Sequence, residues 1–134
     1  MPLPITAFVA AVCAIMLLVT GIDTVRQRLR AKVAFGDGGD DKVIRSSRSH
    51  GNLAEHAPIV ILLIGMLEMA HASHVALMGI GAVFLLGRVA HIFGLHTPSE
   101  PGKAPIPRQI GVITTWATLL ALSGWTLWTL AKLN

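Results

Sequence analysis

Charge is scarce in this sequence. Asp, Glu, Lys and Arg make up 13% of its 134 residues, against 53% hydrophobic residues. Soluble domains usually carry about a quarter charged residues, so an ordinary water-exposed domain is excluded. Cysteine is limited to Cys13. That rules out an intrachain disulfide and leaves no partner for a zinc or dithiol motif; inside an apolar run, Cys13 reads as a small packing residue. Lys and Arg are missing from residues 1–22, so the basic leader of a cleavable signal is absent and the first apolar run reads as a retained span. There is no tyrosine at all. The net charge of +4 does not point to nucleic acid, because basic residues in a membrane chain mark its cytoplasmic loops.

What the chain does have is apolar length. A spanning helix needs roughly 20 apolar residues to cross about 30 Å of hydrocarbon. The pattern predicts one domain over residues 1–134, an all-α integral membrane bundle of four transmembrane helices at about residues 3–27, 44–70, 75–96 and 107–131. The second span is unusual. Its unbroken apolar run, residues 57–67, covers only about 17 Å at the helical rise, so the helix must extend back through polar residues to reach full length. Pro58 lies within it and removes one backbone donor, a loss that membrane helices tolerate when neighbours satisfy the freed carbonyl. Seven Lys or Arg residues lie between the apolar run that ends at Ile22 and the one that starts at Ala57, and Arg88, Lys103 and Arg108 flank the connection between the third and fourth spans; the connection "EMAHASH" has none. The positive-inside rule then puts both basic loops in the cytoplasm and both termini outside.

The polar part of the second span carries the chemistry. Arg48, Asn52 and Glu55 are spaced i, i+4, i+7 and fall within an arc of about 60° on a helix, forming one stripe, with His50 on nearly the opposite side. A carboxylate near hydrocarbon costs about 2.5–3.5 kcal/mol, so Glu55 is expected to face a protein interior and meet a cation. Arg26, Arg28, Arg30, Arg88, His91 and Arg108 all fall toward the same end of their spans. One reading is a structural ion-pair network. The other is a pocket for an anionic, hydrogen-bonding ligand, because guanidinium groups bind carboxylates bidentately and Glu55 suits an ammonium. His71 and His74 beside Glu68 read as interfacial histidines, so no metal is expected. His96 reads as a helix-end residue, and Asp23 as a partner for a nearby arginine. "GDGGDD", residues 36–41, is a turn-rich connector without the Gly-Lys-Ser/Thr ending of a phosphate loop. "TPSEPGKAPIP", residues 97–107, holds four prolines and is not helical throughout.

"RSHGNLAEHAP" resembles the Arg-x-x-x-Asn-x-x-Glu signature, followed by proline, on the second helix of the MAPEG family, the membrane-associated proteins in eicosanoid and glutathione metabolism. "GRVAHIFGL" resembles that family's third-helix segment, "APIPRQIG" resembles the beginning of its fourth helix, and "GDGGDD" resembles the loop of bacterial members, which implies a bacterial inner membrane with both termini periplasmic. The resemblance implies a four-helix bundle assembled as a homotrimer in membrane lipid, with glutathione as cosubstrate at the cytoplasmic side between subunits. It implies glutathione contacts from Arg48, Asn52 and Glu55, a third-helix contribution from Arg88 and His91, and thiolate stabilisation by Arg108. An arginine among Arg26, Arg28 and Arg30 would complete the site, with Arg28 carried forward as the candidate. The implied activity is a glutathione-dependent transferase or peroxidase acting on apolar electrophiles or lipid hydroperoxides. The alternatives are a non-catalytic ligand-binding or scaffold protein and a small proton-coupled transporter built on Glu55. The chain departs from the family pattern at Leu95 and Val112, near positions where mammalian members carry tyrosines, and at Gly51, where some members have a further arginine.

Overall fold

The computed structural model describes residues 2–100 and 102–132, so the extreme ends of the single-domain assignment and Pro101 lie outside it. Four α-helices carry the chain: α1 (Pro4–Ala31), α2 (Asp41–Met69), α3 (His74–His96) and α4 (Ile106–Lys132). Each is long and apolar enough to cross a membrane, and no strand occurs among the described residues. This is an all-α bundle with four candidate spans. At 28 and 29 residues, α1 and α2 are each about 42 Å long at the helical rise. They exceed the hydrocarbon thickness by about two turns. Their surplus lies at the end that carries the two longer connections, residues 32–40 and 97–105, and this long-loop end is where the polar residues gather.

The termini of the helices are held by different devices. Lys32 closes α1 in a left-handed conformation (φ 56°), with the Val33 N–H donating back to the Arg28 carbonyl at 3.0 Å, a common helix stop. Gly36, Gly38 and Gly39 all have positive φ, and Gly38 also lies against Val33, where a Cβ would collide. Asp40 then caps α2, accepting from Lys42 N–H at 2.9 Å and Val43 N–H at 3.1 Å. The Arg30 guanidinium reaches the same Asp40 oxygen at 2.6 Å and, with these backbone donors, holds the carboxyl below its ordinary pKa. At the opposite end, Leu3 offers α1 no side-chain cap. Glu68 of α2 supplies it: the buried carboxylate accepts from Ile5 N–H at 3.0 Å, Thr6 N–H at 2.9 Å and the Thr6 hydroxyl at 2.6 Å. A carboxylate at a helix N-terminus satisfies orphan donors and meets the positive end of the macrodipole.

Between the helices, an apolar core of Val9, Cys13, Leu53, Val60, Ile64, Leu77, Phe84 and Leu122 is fully buried. Cys13 is in this core and free. α1 packs on α2, where the His50 ring lies over Gly21 and its Nδ1 meets the Thr20 hydroxyl at 3.1 Å. α3 packs on α4 through glycine. A Cβ at Gly111 would fall 2.6 Å from the Gly87 carbonyl oxygen, and one at Gly94 would fall 2.7 Å from the Arg108 Cα. Small residues let backbones approach in this way where hydrophobicity cannot drive association. Of the third-span glycines, Gly81 meets Val9 and Gly79 meets nothing within 4 Å. Ile15, Leu18, Val19, Ile22 and Leu29 on α1, and Ile113, Trp116, Leu120 and Leu127 on α4, stay exposed on the single protomer. Among the described residues Asp23 pairs with no arginine. It pairs with His96 Nε2 at 3.3 Å and accepts from Gln27 at 3.1 Å, because α3 ends beside that turn of α1.

Glu68→Ala strands two backbone donors and one hydroxyl at the start of α1. Each buried unsatisfied donor costs about 1–3 kcal/mol, so the thermal midpoint of the detergent-solubilised protein should fall by several degrees. Glu68→Gln, whose amide oxygen still accepts, should lose less; equal losses would contradict the capping role.

Candidate functional site

The site is built on the polar half of α2. Arg48, Asn52 and Glu55 line one hollow of about 390 Å³ together with Arg28 of α1, Ser47, and Gly36 and Asp37 of the connecting loop. Arg48 and Glu55 are exposed and Asn52 is half-buried. The Asn52 side-chain amide donates to the Arg48 carbonyl at 3.2 Å, which leaves its oxygen available as an acceptor. Arg28 is half-buried, and its Nε is buried without a hydrogen-bond partner. The hollow thus carries two guanidinium groups, two carboxylates and an amide. It can receive a ligand bearing both signs of charge.

Arg48 and Ile44 also border a second hollow of about 260 Å³, on the other flank of α2, lined by Asp41, Arg45, Gly94, Leu95, Pro105 and Arg108. Arg45 is committed structurally: its Nη1 donates to the Leu95 and Thr97 carbonyls, both at 3.0 Å, and so ties α2 to the C-terminal end of α3, where cations are favoured. Arg108 lies in the first turn of α4, exposed, with its backbone pressed against Gly94. It also borders a third hollow of about 360 Å³ formed with Ala104, Gln109, Val112 and Ile113. Arg108 therefore stands between a cationic hollow at the long-loop end and a more apolar one along the outer face of α4.

Arg88 and His91 are placed differently. Both are buried, at 2% and 3% exposure, and they line none of these hollows. Arg88 turns toward α4, where its Nη2 donates to the Gly111 carbonyl at 2.7 Å, and its guanidinium lies 5.9 Å from the Phe84 ring centre. His91 Nδ1 faces the Arg108 carbonyl at 3.4 Å; a carbonyl only accepts, which makes Nδ1 the donor. Arg88 Nε and His91 Nε2 are buried without partners. These two side chains reach the site through the backbone of α4, close behind Arg108. No group of three or more potential metal ligands occurs among the described residues; Glu68 is occupied as a cap, and His74 Nε2 lies 3.8 Å from it.

A four-span bundle with this second-helix stripe, and an arginine opening the fourth helix beside it, can now be compared with known proteins. The sequence model described as the MAPEG family matches residues 6–128. The chain belongs to the MAPEG family. It is 34% identical over 124 residues to the inner membrane protein YecN of Escherichia coli strain K12, covering 92% of this chain and 91% of that protein. YecN of Escherichia coli O6:H1 matches with the same identity and coverage. No solved structure was found to match the chain. Membership accounts for the bundle and links the chain to glutathione and eicosanoid metabolism at the level of the family.

The sequence singled out the residues on α2 and α4 but not what fixes them. Arg45 gave no separate signal, and neither did the part played by Gly94 and Gly111 in setting how closely α3 and α4 approach. A Gly94→Ala substitution places a methyl group against the Arg108 backbone. Overpacking of this kind costs about 1–3 kcal/mol, and α4 must move away. Gly79→Ala, with open space around it, should leave the thermal midpoint unchanged or slightly raised. A Gly94→Ala protein as stable as the parent would show that this contact does not set the α3–α4 spacing.

Proposed function

We infer that this MAPEG protein is a membrane-embedded, glutathione-dependent transferase or peroxidase, acting on apolar electrophiles or lipid hydroperoxides. The observation that carries this reading is the position of Arg108 between the cationic hollow shared with Arg48 and the more apolar hollow along α4. Glutathione has two carboxylates, one ammonium and one thiol. Arg28 and Arg48 suit the carboxylates, Glu55 suits the ammonium, and Asn52 can both donate and accept. Arg108 then lies where a thiol meets the bilayer side. A guanidinium beside a thiol favours the thiolate, which is the nucleophile, and the first turn of α4 adds positive partial charge. Conjugation forms a bond from sulfur to the electrophilic carbon and breaks the bond to the leaving group. With a hydroperoxide, two glutathione molecules are oxidised to the disulfide while the O–O bond is cleaved to alcohol and water. Arg88 and His91 support Arg108 from behind, through the Gly111 and Arg108 carbonyls.

On this reading the chain works as a homotrimer; it lies in an inner membrane, the location its YecN relatives are named for, with both long loops cytoplasmic and both termini periplasmic by the positive-inside rule. α2 supports the oligomer. Beyond Glu55 its exposed stripe continues as Ile59, Leu62, Met66 and Met69, an apolar seam at three- and four-residue spacing that suits helix-to-helix contact. A neighbour packed on that seam would wall the hollows on both flanks. A proton-coupled exporter is disfavoured: Glu55 is exposed, in a hollow shared with Arg28 and Arg48, and is not an occluded carboxylate deep in the span.

Ultraviolet thiolate absorbance of the purified protein with glutathione tests the role of Arg108. The wild type should show a thiolate signal at neutral pH, and Arg108→Ala should lose about nine-tenths of it, since a lost charge-assisted hydrogen bond is worth about 1.5–3 kcal/mol. Equal signals would remove Arg108 from the chemistry.

A further inference from the structure

One flank of the α3–α4 pair carries a shallow hollow of about 240 Å³, apart from the site described above. Gly79, Ile80 and Val83 of α3 line it with Ala117, Thr118 and Ala121 of α4. No heavy atom lies within 4 Å of where a Gly79 Cβ would stand, and Ala117 and Ala121 are exposed on the single protomer. These two alanines lie one turn apart, about 6 Å along the axis. Small residues at this spacing let a second membrane helix cross closely.

Thr118 makes the hollow more than a stripe of small side chains. It is 3% exposed, yet it opens on the hollow. Elsewhere on α4, Thr114, Thr115, Thr126 and Thr129 each donate to the carbonyl four residues back, at 2.7–2.9 Å. The Thr118 hydroxyl forms no hydrogen bond among the described residues and keeps its proton and lone pairs free. Depth decides what can meet it. Thr118 lies near the middle of α4 (Ile106–Lys132), about 18 Å from the start of the helix and about 21 Å from its end. Phospholipid ester groups lie at the edges of a hydrocarbon layer about 30 Å thick, out of reach, and acyl chains neither donate nor accept. Water does not solvate polar groups at that depth. The partner for this hydroxyl is therefore on another membrane helix.

We propose that this hollow docks a second copy of the chain, α4 crossing α4 at Ala117 and Ala121, with the Thr118 hydroxyl bonded across the contact. Two considerations select a copy of this chain over a foreign helix. Copies inserted in the same orientation bring Thr118 of each to the same depth, so each hydroxyl meets the middle of the other α4, where a carbonyl or the matching hydroxyl can pair with it. The small surface is also self-complementary: under a two-fold axis one patch serves both partners. The open space beside Gly79 admits a side chain of the partner helix. The contact shares no residue with the apolar seam of α2 or with the hollows around Arg48 and Arg108. It can therefore join assemblies already formed along that seam and leave the ligand hollows open. It goes beyond the glutathione reading and does not depend on it.

The test is disulfide cross-linking of the full chain in vesicles of phosphatidylethanolamine and phosphatidylglycerol, with Cys13→Ala removing the native thiol. Ala121→Cys places a thiol at the hollow. Leu120→Cys places one at the same depth on the neighbouring side of α4, where Leu120 is 77% exposed, and reports random collision. After mild oxidation, Ala121→Cys should give several-fold more covalent dimer than Leu120→Cys. Adding Thr118→Val should lower that yield about threefold, the effect of one interhelical hydrogen bond, and Thr118→Ser should retain it. Adding Ala117→Leu should reduce it to the collision level while glutathione titration of that variant matches the wild type. The proposal is overturned if Ala121→Cys and Leu120→Cys give equal yields, which would assign the hollow to acyl chains. It is overturned equally if Thr118→Val or Ala117→Leu leaves the yield unchanged. Cross-linking of Ala121→Cys in native membranes to a different protein, and not to itself, would assign the hollow to a foreign helix and also overturn it. A chain that forms the Ala121→Cys dimer but binds no glutathione would refute the enzyme reading and leave this one standing.

Discussion

Inside a bilayer a polar group must find its partner within the protein, and in this bundle the carboxylates run out before the cations do. There are eleven Lys and Arg residues and seven Asp and Glu. Glu68 is spent on the backbone of α1, Asp40 takes Arg30, Asp23 takes His96 and Glu100 takes Lys103. The cations left over are managed in two ways. Arg45 and Arg88 turn to backbone carbonyls at helix–helix contacts, a fixed structural use. Arg28, Arg48 and Arg108 form no ion pair among the described residues and instead border hollows at the long-loop end. A cluster of unpaired guanidinium groups is held together against its own repulsion only by a rigid scaffold. It lowers its energy when an anion arrives.

The scaffold is divided accordingly. α2 is apolar in its second half and polar in its first, so one helix presents an exposed apolar seam and a polar stripe. α1 follows the same plan, apolar over most of its length with Arg28 at its polar end. α3 and α4 form a close pair whose glycines bring the Arg108 backbone against Gly94, placing a cation of α4 across the hollow from Arg48.

Much of this was legible in the sequence because long apolar runs and basic loops follow from the thickness and polarity of a membrane. The four helices and the shared face of Arg48, Asn52 and Glu55 depend on local spacing, and local spacing can be read directly. Direction toward a neighbour cannot. Arg88 and His91 occupy the same end of α3 as expected, yet they point into the α3–α4 contact, and only the packing of Gly87 and Gly111 decides that. Glu68 could be seen, but its role could not, since its donors Ile5 and Thr6 lie more than sixty residues away. Asp23 was expected to meet an arginine because three follow it on α1; the end of α3 brings His96 closer.

The central claim is that the unpaired arginines around α2 form a receptor for a carboxylate-rich thiol ligand. Isothermal titration of glutathione into the detergent-solubilised protein, with Arg48→Ala in parallel, tests it most directly. The account predicts saturable heat for the wild type and affinity lower by about tenfold or more for Arg48→Ala, the loss expected of one charge-assisted pair. No saturable heat in the wild type, or the same curve for both proteins, would contradict it.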